Sequence, residues 1–171
     1  MLNRFRTPAL VALLAAAGAC ASIPPARGQM HAAASQPALA QGLVRVRSAY
    51  NFDDTIARIR KDVAAKGIKE FAVVPQSDLA HGAGVDLRPS TLILFGNPPL
   101  GTLFLTSNPN SGIDWPVRVL VYQDASGTVW AVYTDFHYLE RRHRIADQHA
   151  AFEKADGVIH SIISSVEAPG R

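Results

Sequence analysis

The chain has 171 residues, 48% hydrophobic and 18% charged; that length carries one domain with a buried core, and the composition excludes intrinsic disorder. The formal charge of +3 belongs to the N-terminal stretch: Arg4, Arg6 and Arg27 precede Leu43 with no acidic residue, whereas 14 basic and 14 acidic residues follow from Leu43 onward. A neutral domain lacks the basic face that nucleic-acid binding requires, and with Cys20 the single cysteine, the rest of the chain has neither disulfides nor thiol chemistry.

Residues 1–21 have the order of an export signal. Arg4 and Arg6 are followed by an apolar run from Ala9 to Ala17, then by small residues around Ala19-Cys20-Ala21. The apolar run is shorter than the roughly 20 residues that span a bilayer. Ala17-Gly18-Ala19-Cys20 also resembles a bacterial lipobox, with Ala17 where Leu is usual, so Cys20 is a candidate lipidation site and an N-terminal lipid a candidate membrane tether. Residues 22–42 are rich in Ala, Pro and Gln and read as a flexible linker. The domain is then 43–166, followed by a tail, 167–171. These features place the protein outside the cytoplasm, periplasmic or membrane-anchored.

Within the domain, Val44-Arg45-Val46-Arg47 alternates as a half-buried strand. Asn51 or Asp53 opens a helix whose apolar positions Ile56, Ile59 and Val63 recur at helical spacing, and Gly67 ends it. Phe71–Val74 is a second strand, stopped by Pro75, and a short helix follows through Ala83. Thr91–Phe95 is an apolar third strand, expected to be central and buried on both faces. It runs into Gly96-Asn97-Pro98-Pro99, where a cap followed by prolines starts a helix. Val117–Tyr122 and Val129–Thr134 form a hairpin around Asp124-Ala125-Ser126-Gly127. Helices are expected from Phe136 to Arg142, capped by Asp135, and from Asp147 to Ser165, the latter weakened by Gly157. The order βα-βα-βα-ββ-αα gives an α+β fold: one mainly antiparallel sheet of about five strands with helices packed on it.

A series of short motifs runs through this domain. It begins with the strand from Val44 to Ser48 and continues through Phe52-Asp53-x-Thr55, Lys66-Gly67, Leu94-Phe95-Gly96-Asn97-Pro98 and Gly101-Thr102. Asp114-x-Pro116, Asp124-x-x-Gly127-x-Val129-Trp130, Tyr133 and Tyr138-Leu139-x-x-Arg142-His143 complete it. In this order the motifs resemble the domain-of-unknown-function family 302. The resemblance implies a small α+β domain, often dimeric, with no established reaction. Relatives commonly carry an Asp-His pair after the second strand, where this chain has Pro75 and Gln76. His81 lies one helical turn further on.

The residues offer few reactive groups. The five histidines of the domain, His81, His137, His143, His149 and His160, form no H-x-x-x-H pair, so no metal is expected. No C-x-x-C-H haem motif, G-x-S-x-G nucleophile or other catalytic residue stands out, and no cofactor is expected. Gly96 and Gly101 have the spacing of a phosphate loop, but Thr102 occupies the lysine position. The expected ligand site is therefore Gly96, Asn97, Gly101 and Thr102 at the strand-to-helix turn together with Arg142 and His143, with Arg142 reaching back to Asp114 or to a bound anion near Asn97. On that reading Gly101→Val removes ligand-induced stabilisation without unfolding. The expected function is an exported module that binds a small anionic or apolar ligand, or a partner, as a homodimer without catalysis. The competing expectation is an enzyme or a metal- or haem-dependent protein using Asn97, Thr102, Arg142 and His143.

Overall fold

The structure, a computed structural model, describes residues 38–169. The stretches expected to be an export signal and most of a linker, with Cys20 among them, lie outside the described residues. In chain order the elements are β1 (Leu43–Arg47), α1 (Phe52–Ala65), β2 (Lys69–Pro75), α2 (Gln76–Gly82), β3 (Ser90–Gly96), α3 (Pro98–Ser107), a 3-10 helix (Pro109–Asp114), β4 (Val117–Gln123), β5 (Val129–Thr134), α4 (Phe136–His143) and α5 (His149–Ser164).

Local chemistry accounts for most of these boundaries. Asn51 Oδ1 accepts from the Asp54 amide at 2.8 Å, satisfying a free donor at the start of α1. Thr55, Ile59 and Val63, four residues apart, are the buried stripe of that helix. Gly67 follows its C-terminus with φ of +65°, a conformation that costs a residue with a Cβ. Asp135 caps α4 at the Tyr138 amide. Helix α5 begins at His149, two residues later than the sequence suggests, because Asp147 is bound to the Ser107 hydroxyl instead of capping it.

The five strands form one sheet in the order β1-β5-β4-β3-β2, antiparallel throughout. The hairpin strands β4 and β5 are thus interior, with β1 and β2 at the edges. Ile93 and Phe95 of β3, Val119 and Val121 of β4, and Ala131 and Tyr133 of β5 pack with Ile59 of α1 and Phe152, Ile159 and Ile162 of α5 in one core. Phe104 of α3 stacks on Phe152, ring centroids 4.2 Å apart.

Two expectations need correction. Strand β3 lies between β2 and β4, but β4 holds the centre of the sheet. Its Thr91, Ile93 and Phe95 are buried while Leu92 and Leu94, on the other face, are only half-buried, because the core cluster lies on one side of the sheet. The C-terminal boundary also runs past Val166. The Ala168 amide bonds the Arg47 carbonyl at 2.9 Å, and Glu167 forms an isolated bridge with Ser48.

Candidate functional site

At the β3–α3 turn the backbone has little left to offer a ligand. Pro98 and Pro99 carry no N–H. The next two amides, of Leu100 and Gly101, bond the Asn97 carbonyl at 3.1 and 2.8 Å, and Asn97 Oδ1 also accepts from Leu100 at 3.2 Å. The Thr102 hydroxyl donates to the Pro98 carbonyl of its own helix at 2.8 Å. The donors that would make a helix start attractive to an anion are therefore already engaged.

The glycines of this turn serve packing. A Cβ built on Gly101 would stand 1.8 Å from Trp115 Nε1, and one on Gly96 would stand 3.3 Å from the same atom. Trp115 thus lies against two side-chain-free positions, with Phe71 edge-on at 5.3 Å. Gly101→Val would force its side chain into the Trp115 indole and destabilise the fold, against the expectation that this change leaves stability untouched.

The residue before Trp115 gathers the polar side of the site. Asp114 Oδ2 accepts from His143 Nε2 at 2.7 Å and lies 3.4 Å from Arg142 Nη1; its Oδ1 accepts from Arg118 Nη2 at 3.2 Å. Arg118 also bonds the Ile113 carbonyl, and the Asn108 amide group holds the His143 carbonyl at 2.8 Å. His143 is buried. Beside this cluster is a cavity of about 30 Å³ lined by Ser111, Asp114, Trp115, His143 and the rings of Phe104 and Phe136. Ser111 Oγ is buried without a hydrogen-bond partner among the described residues. A cavity of this size, with Asp114 and His143 beside Ser111 in its otherwise largely apolar lining, has room for a water to satisfy it.

Val117 and Phe136 line this cavity and also line a second space of about 440 Å³. That groove lies between α5 and the β3–α3 turn. Ile68, Phe95, Leu100 and Ile159 supply apolar lining, and Asn97, Lys66, Glu153 and Lys154 supply polar groups. Its volume is that of small-molecule sites.

The six residues proposed from the sequence are therefore divided. Gly96 and Asn97 line the groove; Arg142 and His143 meet at Asp114; Gly101 lies under Trp115; Thr102 serves its own helix. The Asp114 partnership with Arg142 was legible from the sequence. Ser111, Arg118 and Lys154 were not, because their spacing in the chain carries no motif. At the position of the relatives' Asp-His pair, Gln76 Oε1 accepts from the Ser90 hydroxyl at 2.7 Å and ties α2 to β3.

Other titratable groups are structural. Asp124 in the hairpin turn accepts from the Ser126 hydroxyl, the Trp130 indole and the Ser126 and Thr128 amides, which hold its carboxyl far below the usual range. The hydrogen bond to Glu140 raises His149. Burial pushes the Tyr133 phenol up to about 12. Among the described residues no group of three or more His, Cys, Asp and Glu is placed to hold a metal ion.

The family model for the domain of unknown function DUF302 matches residues 44–162. The chain belongs to the DUF302 family. It is also similar to fluoride-specific ion channel FluC 1 of Brucella suis biovar 1 (strain 1330), at 36% identity over 104 residues, covering 61% of this chain and 41% of the relative. FluC 2 of Brucella melitensis biotype 1 matches at the same 36% identity, with 38% of its length covered. The chain thus spans about two fifths of these curated relatives. In structure it is similar to the uncharacterized conserved DUF302 protein from Bacillus stearothermophilus, with a TM-score of 0.67 and 16% identity over 75% of this chain and all of the other. That likeness establishes the α+β fold of the DUF302 family.

Proposed function

We propose that this DUF302 domain is a non-catalytic binding module whose small ligand occupies the groove between α5 and the β3–α3 turn. The observation that carries this reading is a space of about 440 Å³ with apolar lining and a polar rim, the form that small-molecule sites take. A thermal-shift screen of the full chain against small anions and apolar compounds, fluoride included, tests it. A compound that raises the melting temperature, and loses that effect when Gly157→Leu fills the groove, supports the reading; a panel without a hit sinks it.

The relatives give the reading a setting. Two fifths of the fluoride channels' length is shared with this chain, and the shared kind of segment is here an α+β domain with a groove. We take that segment as an accessory binding domain rather than a conduction path. Among the described residues no helix is long and apolar enough to cross a membrane. In this protein the domain would work outside the cytoplasm, free in the periplasm or tethered through a lipid on Cys20. Palmitate labelling that is absent from wild type, or unchanged by Cys20→Ser, removes the tether.

The partner we propose is a second copy. Edge strand β2 and the α2 region expose Phe71, Leu79, Val85 and Leu87, and an unpaired apolar edge favours self-association. Light scattering coupled to gel filtration decides this, and a monomer at tens of micromolar ends it.

One observation favours an enzyme as a second reading: a buried imidazole bonded to a carboxylate lines the same cavity as the unpartnered Ser111 hydroxyl. Such residue types perform acyl transfer when aligned. Ester hydrolysis that is lost in Ser111→Ala would favour it over the binding module. Its haem variant requires a Soret shift on adding haem.

A further inference from the structure

The reading of the groove as a ligand site is deepened by one residue that the fold does not explain. Gly157 is the ninth residue of α5. A glycine inside a helix costs about 1 kcal/mol relative to alanine, and a structural reason for it is usually a close neighbour. Gly101 has such a neighbour in Trp115; at Gly157 a built Cβ meets nothing within 4 Å. The position faces the groove instead. A backbone left bare where no protein atom needs the space suits a molecule lying against the helix.

The charges of the rim indicate which molecule. Lys154, Gly157 and Ser161 are three and four residues apart and share a helix face. All three line the groove. Lys66, across from them, is paired with Asp62 at 2.7 Å. Glu153 is 3.7 Å from His137 and 3.6 Å from His149. Among the described residues Lys154 has no carboxylate within ion-pairing distance. The groove therefore combines apolar lining from Ile68, Phe95 and Leu100 with the ammonium of Lys154, and the neighbouring Glu153 faces two imidazoles that offset its charge when protonated.

We infer that the groove binds a small amphipathic carboxylate, its apolar body lying along Gly157 and its carboxylate at Lys154. This inference rests on the groove being the ligand site and adds the chemical class. The ammonium supplies a charge-assisted hydrogen bond, and the bare helix backbone supplies width for the hydrocarbon.

The test is calorimetric titration of the full chain with octanoate, octylamine and 1-octanol, on wild type, Lys154→Ala and Gly157→Leu. Octanoate is expected to bind at least tenfold more tightly than octylamine or octanol, to lose at least tenfold in Lys154→Ala, and to lose detectable binding in Gly157→Leu. Lys154 is exposed, so its replacement keeps the fold even if Gly157→Leu does not. Octanol binding as tightly as octanoate, with Lys154→Ala unchanged, overturns the carboxylate class while leaving the groove as the site. Failure of all three probes overturns the class as well, and the groove then stands or falls with the wider screen. Octanoate binding that is unaltered in a folded Gly157→Leu overturns both.

Discussion

Val117 and Phe136 separate two regions built on opposite rules. On one side Asp114 draws in His143, Arg118 and Arg142 around a cavity of about 30 Å³. On the other, a groove of about 440 Å³ has apolar lining and, in Lys154, a lysine without a carboxylate partner among the described residues. The first region has nearly all its polar groups matched, and the space over Gly101 is filled by Trp115. In the second, a Cβ added at Gly157 would meet no other side chain or distant backbone within 4 Å among the described residues. A satisfied cluster beside a tight cavity holds a fold together, whereas unfilled space with an unmatched charge is available to a ligand. Polar density alone is therefore a poor guide to where a ligand would fit, since the Asp114 cluster lies beside the smaller of these two spaces.

The contrast is tested most severely at Gly101. Gly101→Val forces a side chain into the Trp115 indole, and overpacking of this kind is expected to destabilise by about 3 kcal/mol, read as a lower urea midpoint. A midpoint equal to wild type would mean that the Trp115 packing is not fixed.

Asp114→Ala removes the partner of a buried imidazole. We expect a loss of about 1–3 kcal/mol, with Asp114→Asn recovering part of it, measured by chemical denaturation. Neither variant should change ligand binding in the groove if the wall between the regions holds.

Asp124 is a useful counterpart to Asp114, since its hydrogen bonds from Ser126, Thr128 and Trp130 all come from within six residues. Its folded carboxyl is held far below the ordinary value of 3.8. A depressed carboxyl adds stability above the unfolded pKa and loses it as pH falls toward the folded one. The wild type should therefore lose stability as pH falls below about 4, and Asp124→Asn should show a shallower dependence in that window. Parallel acid-denaturation curves would refute this.

The smallest effect is expected at Gly157. Gly157→Ala adds a Cβ that meets nothing, so the helix should gain about 1 kcal/mol, seen as a higher melting temperature. No gain would imply that α5 is held by something other than its own helical preference.

Much of the architecture was legible because its causes are local. Asn51, Asn97 and Asp135 each cap a helix within three residues, and a cap works on the donors immediately following it. The hairpin follows from the Asp124 turn for the same reason. The β3 strand misled on its place in the sheet, because an apolar run reports burial and not which strands lie alongside.

Short-range periodicity, caps and turns were enough to specify the fold class and the order of most elements from the chain alone, while the family came from the resemblance of the ordered motifs and the family model over residues 44–162. The site was not specified in that way. Asp114 and His143 are 29 residues apart, and Lys66, Asn97 and Lys154 reach one groove from three separate parts of the chain. Spacing along the chain cannot encode such convergence. It arises when the sheet and helices bury their apolar faces together, leaving a small cavity on one side of Val117 and Phe136 and a larger groove on the other.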